Sequence, residues 1–167
     1  MSDNKHDSID REQLIRILTE AKDGDRFPLL VTGGSMIPFL FDQRSLVFLE
    51  KDSAYVPQRG DIVFFARPNL SLVLHRVVEL REDGTLLING DAQSWTEVIS
   101  PDQILAHVTH IQRRVKPFSV ENSFYRFAVK LWMPLRRAHP VLMKPFFYAN
   151  CLIFKLSRRY RAKYPRR

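Results

Sequence analysis

Residues 60–91 read GDIVFFARPNLSLVLHRVVELREDGTLLINGD. Three apolar runs lie in this stretch, Asp61–Ala66, Ser71–Leu80 and Thr85–Asn89, cut apart by Pro68-Asn69 and by Glu82-Asp83-Gly84. Short apolar runs bounded by turn residues read as strands, and an acidic, glycine-ended break between two of them is a hairpin signal. Working outward, the same pattern predicts strands over Pro28–Val31, Ser45–Leu49 and Ile104–Gln112, separated at Gly33-Gly34, Gln58-Arg59-Gly60 and Gly90-Asp91. Six such strands in one stretch predict a compact, mainly β and mostly antiparallel domain over residues 27–114.

Both flanks differ from this middle. Ser8–Lys22 has a capping residue at its start, Leu14, Ile17 or Leu18, and Ala21 on one face, and Gly24 beyond its end, which predicts a short helix in a segment 1–26. After Arg114, Phe124, Phe127, Ala128, Leu131 and Leu135 recur at helical spacing, and a second helix is expected over Phe146–Arg159. Pro134, Pro140 and Pro145 must break or kink the helices there.

Charge separates the same parts. Residues 1–112 hold 11 Lys and Arg against 17 Asp and Glu, a net of −6, whereas residues 113–167 hold 15 against Glu121 alone, a net of +14. A basic region carrying large apolar side chains is expected to meet an anionic membrane surface, the alternative being a solvated positive patch packed on the β domain. No nucleic-acid-binding motif accompanies the charge. Met1–Asp10 is too polar and acidic for a secretory signal, and no apolar run reaches the roughly 20 residues of a spanning helix. The expectation is a cytoplasmic protein, peripheral on the inner face of the cell membrane. Cys151 is the single cysteine, which excludes an internal disulfide framework, and it reads as a small buried residue.

The chemistry centres on Gly33-Gly34-Ser35-Met36-Ile37-Pro38. Two glycines allow a tight turn and leave amide N–H groups uncovered beside the serine, and a nucleophilic serine needs such donors for the oxyanion that forms on attack. Downstream, Leu74-His75-Arg76-Val77-Val78 sets a histidine in an apolar strand, and Ile88-Asn89-Gly90-Asp91-Ala92 ends a strand on an aspartate. Serine, histidine and a carboxylate are the parts of acyl transfer: nucleophile, general base and the group that orients the base.

Four boxes in this order, Gly33-Gly34-Ser35-Met36-Ile37-Pro38, Gly60-Asp61-Ile62-Val63, His75-Arg76-Val77 and Gly90-Asp91-Ala92, resemble the type I signal peptidases and the related self-cleaving repressors. Bacterial signal peptidases have a lysine base where His75 stands, so the likeness is to the archaeal and endoplasmic-reticulum branch. The resemblance implies a serine endopeptidase acting on an extended peptide or protein substrate, with Ser35 as nucleophile, His75 as base and Asp91 as the orienting acid. It makes Glu97 a weaker second acidic candidate and places Gly34, Met36 and Thr32 around the substrate and oxyanion. Gly33 stands where the bacterial enzymes often carry an oxyanion hydroxyl. No metal or cofactor is called for. A non-catalytic peptide-binding or scaffold module of the same fold is the alternative.

The other conspicuous residues read as structural. Asp61 fixes a turn, Met36 and Pro38 shape the loop, and Trp95 and Trp132 are core or interface anchors. His107 and His110 lie three apart in a strand and so point to opposite faces, against a shared metal.

Overall fold

The computed structural model describes residues 11–113, 116–138, 141 and 144. The expected helix at Phe146–Arg159, Cys151 and the basic stretch from Arg158 lie outside them. Helix α1 (Arg11–Glu20) leads into strands β1 (Arg26–Leu30), β2 (Leu46–Glu50), β3 (Ile62–Ala66), β4 (Leu72–Leu80), β5 (Leu86–Asn89), β6 (Glu97–Ile99), β7 (Ile104–Gln112) and β8 (Pro117–Ser119), and helix α2 (Ser123–Trp132) follows. All eight strands form one antiparallel sheet in the order β1-β2-β7-β3-β4-β5-β6, with β8 beside β7. The protein is mainly β, as the turn-punctuated pattern predicts.

Two strands escape that pattern. β6 and β8 are three residues each, too short to show alternation. β8 occupies the edge of β7 that β3 leaves free: β3 pairs with Ile104–His107, and β8 with His110–Gln112. The sheet therefore runs past residue 114.

β3 explains why residues 62–65 are uniformly apolar. Its side chains alternate across the sheet, and both faces are covered. Ile62 and Phe64 enter a larger core with Leu18 of α1, Met36, Phe39 and Leu40, Val47, Val108, Ile111, and Tyr125 and Val129 of α2. Val63 and Phe65 enter a smaller one with Val77, Leu86, Ile88 and Ile99. α2 is capped by Asn122, whose side chain accepts from the Phe124 and Tyr125 amides. It buries Tyr125 and Val129 against the sheet, so residues 116–138 are continuous with the β domain and not an appended region. Among the described residues no helix is long and apolar enough to cross a membrane.

Candidate active site

The loop joining β1 to β2 carries Ser35. Gly33 has φ of 85°, a left-handed conformation that glycine adopts at no cost, and its N–H donates to the Asp42 carboxylate at 2.9 Å. Next, Met36 plunges into the larger core at 2% exposure, and its carbonyl accepts from the Phe39 and Leu40 amides. The turn is thus pinned on both sides of Ser35, which is half-buried. Among the described residues, the Ser35 hydroxyl and the Ser35 N–H have no hydrogen-bond partner. A free hydroxyl beside a free amide is what attack and oxyanion binding require.

β4 supplies the histidine, and alternation decides its surroundings. His75 pairs with Val63 and shares the face of the smaller core, while Arg76 pairs with Ile62 and turns to the larger one. His75 is 2% exposed, with its ring against Phe65 and, edge-on at 5.9 Å, against Trp95. Its Nδ1 lies 3.1 Å from Glu97 Oε1. Glu97 starts β6 and pairs with Ile88, a residue of the same face. Arg67 grips this carboxylate with two hydrogen bonds of 2.7 Å, from Nε and Nη2. Asn89 donates to the carbonyls of Gln93 and Trp95 and so fixes the loop that brings the chain back to Glu97.

Asp91, expected to orient His75, does something else. Both its carboxylate oxygens accept from Arg76, at 2.7 Å each. The pair is sealed inside the protein, with side chains 2% and 4% exposed. Arg76 also donates to the Gly60 carbonyl at 2.6 Å and to the Tyr125 hydroxyl at 3.2 Å, and its guanidinium stacks 4.9 Å from the Phe39 ring. The carboxylate that meets His75 is Glu97, the weaker candidate by sequence. Neighbouring residues on a strand face opposite ways, so the side of the sheet where Asp91 meets Arg76 is not the side that holds His75.

The four sequence boxes are knitted together by these contacts. Gly60 N–H donates to the Val77 carbonyl, and Val77 N–H to Asp61. The Asp61 side chain accepts from the Tyr55 hydroxyl and the Gln58 amide, a turn-fixing role as expected. Ala92 N–H donates to the Ser35 carbonyl at 2.8 Å, which ties the Gly90-Asp91-Ala92 box to the serine loop. A methyl on Gly90 would stand 2.8 Å from that same carbonyl. Glycine is there because the serine's backbone passes over it.

Ser35 and His75 line one cleft of about 430 Å³ together with Thr32, Met36, Arg67, Gln93 and Trp95. Thr32 is exposed at its rim and Gly34 half-buried. Apolar walls come from Leu29 and Leu30 of β1 and from Leu72 and Leu74. The two side chains share this space without a direct hydrogen bond. With Nδ1 given to Glu97, Nε2 is the ring nitrogen that Glu97 leaves free.

Electrostatics set the protonation states of this pair. Burial holds His75 below the ordinary imidazole value, and the neighbouring Glu97 charge only partly opposes it. Burial alone would raise Glu97, but the hydrogen bonds and charge of Arg67, then those of His75, carry it below the usual carboxylate range. At neutral pH the pair is a neutral imidazole beside an ionised carboxylate, a state in which the imidazole can accept a proton. Arg76 is held cationic: burial works against its charge, and Asp91 and Tyr125 outweigh it.

Arg67 and Arg76 carry no signal in the sequence as separate functional residues. Arg76 could have been read from its place in an apolar strand, since a buried arginine demands a carboxylate. His107 stacks on Tyr55 at 4.1 Å, and His110 sits opposite Phe48, so neither joins the site. Trp95 forms a cleft wall, and Trp132 donates to the Asp91 carbonyl at 3.0 Å. The chain matches no protein-family model, no curated protein and no solved structure.

Proposed function

We propose that the chain is a serine endopeptidase of the signal-peptidase type that cleaves an extended peptide through an acyl-enzyme. Ser35 attacks the scissile carbonyl, His75 takes its proton through Nε2 and returns it to the leaving amine, and Glu97 orients the imidazole and steadies its charged form. The Ser35 N–H, with its neighbours, receives the oxyanion, and water then releases the acyl group. One observation carries the reading: Ser35 lies in a cleft with a buried histidine whose Nδ1 is held by an ionised carboxylate. The substrate is a leader or signal-like segment, met at the inner face of the cell membrane, where the net charge of +14 over residues 113–167 brings the protein to anionic lipid.

A non-catalytic peptide-binding module is the second reading, favoured by the lack of a direct Ser35–His75 hydrogen bond. A fluorophosphonate, which reacts only with an activated serine, separates the two. Labelling at neutral pH that disappears in Ser35→Ala, at unchanged melting temperature, supports the peptidase. Equal labelling of both proteins, or of neither, refutes it.

A further inference from the structure

Helix α2 is apolar on two sides, and the sheet uses only one. Tyr125 and Val129, 7% and 5% exposed, point into the core. Phe124, Phe127 and Leu131 follow one another at intervals of three and four residues, which places them on a single outward stripe of α2, and Leu135 is exposed in the short 3-10 helix that follows, Met133–Ala138. They are 81%, 58%, 58% and 48% exposed. Isolated exposed hydrophobics are ordinary, but a contiguous stripe containing two phenylalanines marks a contact surface. Grooves border it on both flanks, one against Phe39 and Phe118, the other against Val120 and Met133.

The charge of the chain region that carries this stripe says what it meets. Arg126 and Lys130 are exposed on the same helix, Arg126 in a solvent-facing ion pair with Glu121 at 2.6 Å, and Lys116 and Lys144 stand before and after the helix in the chain. Glu121 is the lone acid in residues 113–167. A protein partner of ordinary composition would not require fifteen cations against one anion, whereas the headgroup layer of an anionic bilayer does, with an apolar layer just beneath. We infer that the outer face of α2 is an interfacial docking surface for anionic lipid, with Phe124 and Phe127 seated at the acyl boundary and the basic side chains among the phosphates. This rests on the membrane reading of the basic region and is independent of the peptidase chemistry.

Phe124→Ser/Phe127→Ser in the full chain is the test, because both side chains are exposed and their loss leaves the core intact. Co-sedimentation uses vesicles of phosphatidylcholine alone and of phosphatidylcholine with phosphatidylserine, at low and high salt. The wild type is expected on the anionic vesicles, released as salt rises. Losing a seated aromatic weakens affinity about tenfold, so the double variant binds about a hundredfold less at unchanged melting temperature. If wild type and variant bind anionic vesicles equally, the face is not the contact, although the charge-based membrane reading survives. Failure of the wild type to bind overturns both. A wild-type dimer that the variant dissolves, without vesicle binding, assigns the stripe to a second copy of the chain. A drop in the variant's melting temperature assigns it to the chain's own later residues. Either result overturns the proposal.

Discussion

Two carboxylates compete for the role beside His75, and exchanging each for its amide separates them by energy as well as by activity. Asp91→Asn leaves Arg76 charged in a site where its side chain is 2% exposed. Breaking a buried pair from one side costs about 3–5 kcal/mol, which for a domain of this size lowers the melting temperature by roughly 10–20 °C. Glu97→Gln is different. Its partner Arg67 is 32% exposed, so solvent compensates and screening holds the cost to about 1 kcal/mol or less. What it removes is the charge that steadies the imidazolium and the anchor that fixes the tautomer, a loss on the order of 10²–10⁴-fold in rate. The assays are a thermal melt and the rate of fluorophosphonate labelling, taken well below both transitions. The expected pattern is a stable, nearly unreactive Glu97→Gln and a reactive, destabilised Asp91→Asn. A Glu97→Gln protein that labels at the wild-type rate, beside a folded Asp91→Asn that does not label, would refute the assignment.

The Arg67 charge depresses both His75 and Glu97, so Arg67→Met should move the midpoint of the labelling-rate profile, and the NMR titration of His75, to higher pH. The wild-type midpoint is expected below the free value of about 6.5 with a plateau above it; a rate still climbing into alkaline pH, or an unmoved midpoint in the variant, counts against this. Because His75 is depressed in the folded protein, its contribution to stability is complete above about pH 6.5 and is lost as pH falls through the lower folded value. Gly90→Ala sets a methyl against the Ser35 carbonyl and the Gln93 side chain, which should cost about 1–3 kcal/mol in a melt and slow labelling by shifting the nucleophile. Wild-type values for both would show that the close approach is not needed.

Strands with clear punctuation were legible from the residues. β3, β4 and β5 each carry at least four residues of pattern between turn signals, and their register follows. β6 and β8 were not, because three residues cannot display a period. The boundary placed at residue 114 followed composition, where charge changes sign, but packing follows apolar side chains, and Tyr125 and Val129 reach across it into the larger core. The residues that meet at the cleft and behind it were legible as a set of boxes and not as a set of pairs. Ser35, His75 and Asp91 are each local features of a turn or strand end. Which carboxylate meets the histidine depends on β6 returning beside β5, a non-local pairing that leaves no mark near His75.

Still, one constraint was available in His75-Arg76 itself. Adjacent strand residues face opposite sides, so a buried histidine followed by a buried arginine calls for partners on both faces of the sheet. The protein provides both, Glu97 on one side and Asp91 on the other. The arrangement gives β4 two tasks at successive residues. His75 faces the cleft, while Arg76 faces α2 through the Tyr125 hydroxyl, and Asp91 is touched again by α2 through Trp132. The Arg76–Asp91 pair thus fastens the helix that carries the exposed aromatic stripe to the strand that carries His75. Removing α2 would strip Arg76 of its hydroxyl partner and open the larger core beneath Met36 and Phe39. The serine loop rests on those two residues, so α2 cannot be removed without disturbing Ser35.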